Sequence, residues 1–166
     1  MIIGHLPVGY ITSKLIFPRF SSRCISINAF ILAGILGALA PDLDMLYFHL
    51  VDHRQHHHHT YWTHYPIVWG ILLLISLVLL KTMRLSNRPV FMFIFSLNGL
   101  IHMFIDTIVG DIWWFAPFID KPFALFTVPA LYKPWWLNFI LHWSFVLEIV
   151  ACIWAVILWR FKRVQL

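Results

Sequence analysis

The chain alternates between long apolar stretches and short polar segments. The apolar stretches cover residues 25–40, 65–80, 90–109 and 139–159. A bilayer core of about 30 Å is crossed by about 20 apolar residues in a helix, or by fewer where the helix packs inside a bundle. A further stretch, residues 2–17, is interrupted by Gly4, Pro7 and Gly9, which fits either a short, kinked span or an interfacial segment. We therefore predict an all-α polytopic membrane helical bundle with four to five transmembrane helices.

The composition agrees with a membrane protein and excludes an ordinary soluble domain. Hydrophobic residues make up 61% of the 166 residues and charged residues 11%, whereas a soluble domain has about 25% charged residues. This length fits a single domain over residues 1–166. The net charge of +5 does not indicate a nucleic-acid partner, because the basic residues stand beside apolar stretches, as membrane-flanking charges do. The expected partners are membrane lipids.

Basic residues orient the predicted bundle. Nine of the twelve fall on one face if successive stretches cross the membrane, in three groups: Lys14, Arg19 and Arg23; Lys81, Arg84 and Arg88; Arg160, Lys162 and Arg163. The positive-inside rule makes that face cytoplasmic. The loops on the opposite face, residues 41–64 and 110–138, hold five of the seven acidic residues. We expect these loops to face the periplasm.

Ionisable residues lie where two apolar stretches meet the outward loops. His102 and Asp106 are four residues apart and therefore share one face of the predicted helix. Such residues inside a span usually face the bundle interior and mark a site, although an interhelical hydrogen bond is the simpler alternative. Asp42 and Asp44 follow Pro41, where proline ends the preceding helix. These carboxylates either start a solvated loop or provide hard oxygen ligands for a cation.

Histidines are concentrated in the first outward loop. It contains His49, His53, His56, His57, His58, His59 and His64. Neutral imidazole is the commonest metal ligand in proteins, but a histidine tract on a flexible loop is by itself weak support for a specific site. His64 is the stronger candidate, because it stands where the chain re-enters the membrane, level with the aspartates. His5 would reach the same level from the first helix, and this convergence predicts a metal site.

Five segments stand in a characteristic order: His5-Leu6-Pro7, Pro41-Asp42-Leu43-Asp44, His59 to His64, His102 with Asp106-Thr107, and Trp114-Phe115-Ala116-Pro117-Phe118. Over about residues 1–126 this order resembles the bacterial inner-membrane metal-dependent hydrolases of the YdjM type. That family reads His-Arg-Gly-x-Thr-His-Ser at the third segment. This chain keeps the two histidines but replaces the arginine, glycine and serine. The partner of His64 therefore stays open among His53 and the histidines at 56–59.

The resemblance implies metal-assisted hydrolysis of an ester or phosphoester in the inner membrane. The candidate metal ligands are His5, Asp42, Asp44, His59, His64, His102 and Asp106. Seven ligands exceed those of one tetrahedral zinc ion, so we expect one or two ions. The histidines favour zinc, and the carboxylates also suit manganese or iron. We assign catalysis to Asp44, His64 and Asp106 with a metal-activated water, acting on a lipid or lipid-linked substrate.

Two other function classes stay open. A metal-ion binding or transport protein would collect cations on the histidine-rich loop and relay them through His102 and Asp106. Only Asn98 and Glu148 lie deeper, which disfavours transport. Asn98 either orients a ligand or bonds a neighbouring helix, and for Glu148 we expect an interhelical hydrogen bond. A haem protein with two histidine ligands would use His102 and His142, which lie at similar predicted depth.

Overall fold

The computed structural model describes residues 3–161, and within that range it is all-α, without a strand. Its helices are α1 His5–Ile16, α2 Ile27–Leu39, α3 Asp44–Leu50, α4 Pro66–Thr82, α5 Arg88–Asp106, α6 Trp136–Leu141 and α7 Ser144–Arg160. Each predicted apolar stretch is helical, and the interrupted stretch at the N-terminus forms α1. The last stretch is divided, because His142 has an extended backbone with ψ 144° between α6 and α7.

The long helix α5 forms the centre of the bundle. It packs against α2 on one side and α4 on the other, while α1 packs against α2 and α7. Phe30 of α2 and Val90 and Ile94 of α5 are fully buried and form the main apolar cluster. Because α5 contacts α1, α2 and α4, side chains of α5 can meet side chains from all three of these helices.

The two ends of the bundle differ in chemistry. At one end the loop after α1 meets the loop before α5: Arg23 donates to the carbonyl oxygen of Ser86 at 2.8 Å, and Asn87 donates to that of Cys24 at 3.1 Å. Two of the three basic groups therefore meet at this end, which we call the basic end. The histidines and aspartates gather at the other end, at the C-terminus of α5. The 19 residues of α5 separate the two ends by about 28 Å at 1.5 Å per residue.

Glycines allow the helices around α5 to approach closely. A Cβ atom on Gly37 of α2 would collide with the backbone carbonyl of Phe95, and one on Gly99 of α5 would collide with the ring of Trp69. Small residues at helix crossings are typical of membrane bundles, where packing and not water exclusion drives association. The close approach of α2 to α5 also fixes the position of Pro41–Leu43, the 3₁₀ turn that follows α2.

The outward faces of the helices are apolar. Large hydrophobic side chains are exposed on α2, α4 and α7, among them Leu32, Leu36, Ile71, Leu74, Val78, Val150 and Ile153. Exposed apolar surface of this extent marks contact with a membrane or a partner and not with water.

Helix length alone identifies fewer spans than the four to five that the sequence pattern predicts. Among residues 3–161, α5 is the one helix long and apolar enough to cross a membrane by itself. Pro41–Leu50 and α2 would count as a second span if taken as one helix bent by 55°, and α4 is apolar but has 17 residues. The difference arises because α1, α2, α4 and α7 have 12, 13, 17 and 17 residues, short of the roughly 20 that a full crossing takes.

Candidate metal centre

Four ionisable side chains from three elements meet at the end of the bundle opposite the basic end. His102 and Asp106 come from the last turns of α5, Asp42 from the 3₁₀ turn after α2, and His64 from the 3₁₀ turn Trp62–His64 that leads into α4. Each offers a nitrogen or oxygen atom, and these four atoms all lie within 4.8 Å of one another. The side chains of His64, His102 and Asp106 are 0 to 2% exposed, whereas Asp42 is 35% exposed.

The imidazole nitrogens are oriented by acceptors behind each ring. Nδ1 of His102 donates to the carbonyl oxygen of Ala38 at 2.7 Å, and Nδ1 of His64 donates to Oδ2 of Asp44 at 2.5 Å. Both Nε2 atoms therefore point inward, at 3.0 Å and 4.0 Å from Oδ2 of Asp106. A metal-binding histidine is typically held in this way by an oxygen on its other nitrogen.

The two inward-facing imidazole nitrogens lack hydrogen-bond partners in the described part of the chain. Nε2 of His64 and Nε2 of His102 are buried and make no hydrogen bond within residues 3–161. In the neutral tautomer with the proton on Nδ1, Nε2 is an acceptor, and so are the oxygens of Asp42 and Asp106. Buried acceptors that face one another are stabilised by a proton or a metal cation between them. Two imidazoles and two carboxylates are a ligand set for a divalent transition metal, so the residues present fit a metal ion.

His64 would compete for that metal with a proton. Burial disfavours the charged form of this ring, but the neighbouring carboxylates of Asp42 and Asp44 outweigh burial and raise the pKa of His64 to about 9. Without a metal, His64 therefore carries a positive charge at neutral pH. Because a metal ligand must be deprotonated, a metal ion at this site would displace that proton.

Asp44 is placed differently from the direct ligand role expected from the sequence. Its Oδ2 accepts hydrogen bonds from His64 Nδ1 and, at 2.8 Å, from Thr63 Oγ1. Asp44 therefore lies behind His64, on the side away from His102 and Asp106, and does not belong to the group of four. Asp42 lies in the turn Pro41–Leu43 and Asp44 at the start of α3. Their side chains therefore contact different sides of the His64 imidazole.

His5 lies beside the group of four. Its ring stacks on His102 with a centroid distance of 3.7 Å, and its Nε2 is 3.1 Å from Oδ1 of Asp106. The start of α1, which carries His5, is held by Glu148 of α7, whose Oε2 accepts from the backbone N–H groups of Ile3 and Gly4 at 2.5 and 2.9 Å. Glu148 thus makes the interhelical hydrogen bond that the sequence predicts.

One histidine of the tract reaches the same place. Nδ1 of His59 donates to the carbonyl oxygen of Asp111 at 3.0 Å, and its Nε2 is 3.6 Å from Oδ2 of Asp106. His59 is buried, and burial lowers the pKa of His59 to about 2. It is therefore neutral and able to bind a metal at pH 7. Among the candidate partners of His64, His59 approaches Asp106 in this way, while His56 is exposed and pairs with Asp52.

A family model described as "YdjM inner membrane protein" matches residues 1–165. The chain belongs to the YdjM inner membrane protein family. Comparison with curated proteins finds no match, and comparison with solved structures finds none either. The resemblance seen in the sequence is thus confirmed, and it extends past residue 126 to include α7. The family description places the chain in the inner membrane and states no reaction.

The motif residues of this YdjM family member differ in how they reach the centre. His5, His59, His64 and His102 each bring Nε2 within 4.0 Å of a carboxylate oxygen of Asp106, and Asp42 faces His64 and His102 from the more exposed side. Asn98 lies deeper, where its Nδ2 donates to the carbonyl oxygen of Ile94 at 3.0 Å and approaches Ser13 Oγ of α1 at 3.5 Å. His142 bonds Ser144 at 2.9 Å and is not in the group that contains His102.

Three contributors to the centre were not identified from the sequence. The carbonyl oxygens of Ala38 and Asp111 carry no side-chain signal, since any residue provides one. Thr63 had a signal, because its position within the third family segment precedes His64 directly. It donates to Asp44 through its hydroxyl, and its own carbonyl accepts from the indole N–H of Trp69 at 2.7 Å. Thr63 therefore links the centre to α4.

Proposed function

We propose that this chain is a multi-pass inner-membrane hydrolase that cleaves an ester or phosphoester bond with a divalent metal ion held by Asp42, His64, His102 and Asp106. The observation that carries the proposal is the meeting of two buried imidazole nitrogens without hydrogen-bond partners and two carboxylates. Zinc is the first choice from the imidazoles, with manganese or iron compatible with the carboxylates. One ion accounts for the group of four, and a second ion near His5 and Asp106 Oδ1 remains a prediction.

The orientation of the bundle supports a periplasmic site. Basic groups meet at one end, the histidines and aspartates lie at the other, and α5 separates them by about the thickness of a hydrocarbon core. By the positive-inside rule the basic end is cytoplasmic. Five helices, α1, α2, α4, α5 and α7, then run alternately between the two faces. Short spans of this kind are accommodated by local thinning of the bilayer.

The residues around the centre have separable tasks in this proposal. A divalent cation would supply a Lewis acid that activates water and neutralises charge on a substrate oxygen. Asp106 and His64 would hold the cation, and Asp44 would fix the tautomer and direction of His64. Asp42 is the one exposed member of the group at 35%, so its side is where substrate and water have access. In this assignment Asp44 is a positioning residue, and the catalytic part falls to His64 and Asp106.

An apolar groove beside the centre supports a lipid or lipid-linked substrate. The groove has a volume of about 640 Å³ and lies between α3, α4 and α5, with Asp44 and Tyr47 in its lining together with Val68, Leu72 and Phe95. Leu72 lies two turns into α4 from the end that carries His64. A groove that begins at the Asp44 carboxylate, behind His64, and continues along apolar side chains suits a molecule with a polar ester group and an acyl chain.

The function is tested with full-length protein purified in detergent and reconstituted into liposomes. Phospholipids and generic phosphoesters are incubated with wild type, with and without a chelator, and with the variants Asp106→Ala and Asp52→Asn. We expect chelator-sensitive turnover in wild type and in Asp52→Asn, because Asp52 does not belong to the group of four and pairs with the exposed His56, and none in Asp106→Ala. If metal is bound stoichiometrically but no substrate is cleaved faster than by Asp106→Ala, and cations cross the liposome instead, the transporter replaces the hydrolase.

The topology is tested separately by cysteine labelling in intact cells. Cys24 and Cys152, which form no disulfide, are first replaced by serine, and a single cysteine is then placed at Gln55 or at Gln165. We expect a membrane-impermeant reagent to label position 55 and not position 165. The opposite pattern would place the candidate centre on the cytoplasmic side.

A further inference from the structure

Three consecutive histidines form a second cluster of candidate ligands outside the group of four. His57, His58 and His59 each offer a ring nitrogen, and these three atoms lie within 4.8 Å of one another. Their exposure decreases along the chain: His57 is exposed, His58 is partly buried and His59 is buried. The cluster therefore reaches from the surface to the interior within three residues.

The backbone around this cluster is ordered by hydrogen bonds and is not a free tract. Residues His58–Thr60 form a 3₁₀ turn, and the side chain of Thr60 donates to the carbonyl oxygen of His57 at 2.7 Å. The backbone N–H of His59 donates to Nδ1 of His57 at 3.3 Å. Nδ1 of His58 is buried and has no hydrogen-bond partner within residues 3–161. The three histidines therefore have distinct surroundings, unlike a histidine tract on a flexible loop.

The cluster is continuous with the buried centre. The ring of His58 stacks on that of His59 at a centroid distance of 4.0 Å, and His59 lies 4.6 Å from the ring of His64. His59 is also the member that approaches Asp106, at 3.6 Å between Nε2 and Oδ2. One histidine thus belongs to both places. Three of the four residues at the centre are almost fully buried, and the partly exposed ligands beside His59 offer an ion a path to them.

We propose that His57, His58 and His59 form a loading site for a divalent transition-metal ion, from which the ion passes to the buried centre through His59. The step is an exchange of ligands: the ion leaves His57 and His58, stays on His59 and gains Asp106 and His64. His64 releases its proton to water as it binds the ion, and no electron is transferred. Imidazole is a ligand for zinc, iron and related ions and a poor one for magnesium or calcium. The proposal rests on metal binding at the centre and not on hydrolysis.

The experiment measures binding and loading of Zn²⁺ by the full-length, metal-free protein in detergent, by competition with a chromophoric chelator and by stopped-flow mixing. The test variant is His57→Ala/His58→Ala. The matched control is His53→Ala/His56→Ala, which removes two exposed histidines of the same loop. A third variant, His102→Ala, removes a member of the buried group.

In wild type we expect a tight and a weaker class of bound Zn²⁺. The test variant should lose the weaker class and fill the tight class to the same final occupancy, at least tenfold more slowly, and the control should behave as wild type. Full final occupancy also shows that the test variant is folded. His102→Ala should lose the tight class and keep the weaker one.

Unchanged loading and stoichiometry in the test variant would overturn the loading site, and so would loss of its tight class. Absence of a tight class in wild type would instead refute the buried centre.

Discussion

The most informative perturbation of the centre is Asp44→Asn, because the sequence expects Asp44 to bind the metal directly and the structure places it behind His64. Asp44 accepts from His64 at 2.5 Å and from Thr63 at 2.8 Å, and its side chain is 3% exposed. Asparagine keeps the shape and one acceptor oxygen but removes the charge. A charge-assisted hydrogen bond contributes about 1.5 to 3 kcal/mol, and mutation of the group that orients a ligating histidine lowers metal affinity by about 10- to 100-fold.

We therefore expect Asp44→Asn to weaken the tight Zn²⁺ class by about 10- to 100-fold, or about 1.4 to 2.8 kcal/mol. The variant His102→Ala, which removes an inward-facing nitrogen, should lose the class altogether. The assay is competition with a chelator of known affinity at fixed pH. Asp52→Asn is the control, because Asp52 also holds a histidine, His56, at 2.7 Å but on the exposed loop; its affinity should equal that of wild type.

Two results would refute this reasoning. If Asp44→Asn loses the metal as completely as His102→Ala, Asp44 is a direct ligand, as the sequence expects. If Asp44→Asn binds Zn²⁺ as tightly as wild type, the contact between Asp44 and His64 does not orient the ring for metal binding.

Three further predictions concern pH, packing and the anchoring of α1. Because the pKa of His64 is raised to about 9, Zn²⁺ must displace the proton of this ring. The affinity for Zn²⁺ should therefore fall by about tenfold per pH unit as the pH is lowered from 9 to 7. An affinity that does not change with pH in chelator competition would contradict this. Gly37→Ala should destabilise the bundle by about 1 to 3 kcal/mol, because the added methyl group would collide with the backbone of Phe95. In the control Gly70→Ala the methyl group meets nothing within 4 Å, so this variant should melt as wild type does. Equal melting temperatures for both variants would refute the close crossing of α2 and α5. Glu148→Ala should lower stability by about 1 to 3 kcal/mol for each backbone N–H left unpaired, and Glu148→Gln should restore part of it; no change in thermal unfolding of either variant would show that the contact does not anchor α1.

The sequence allows most of the secondary structure to be predicted, for a physical reason. Backbone polar groups in lipid must be paired within the segment, so a long apolar stretch between polar segments has few alternatives to a helix. All five predicted stretches contain one. The break at His142 was not foreseen, because nothing in that apolar run marks the extended residue between α6 and α7. The short helix α3 was likewise expected to be loop.

The sequence by itself also determined which residues gather at the end opposite the basic end, because spacing and depth place His5, His64, His102 and Asp106 at one level of the bundle. What each of them contacts was decided by the tertiary structure. Asp42 and Asp44 are two residues apart, yet the bend after α2 directs one to the inner nitrogen of His64 and the other to its outer nitrogen. The choice of His59 from a run of four similar residues depends on the carbonyl of Asp111, which lies 52 residues away in the chain. Such contacts depend on helix positions set by packing around α5, and the spacing of residues along the chain contains no information about them.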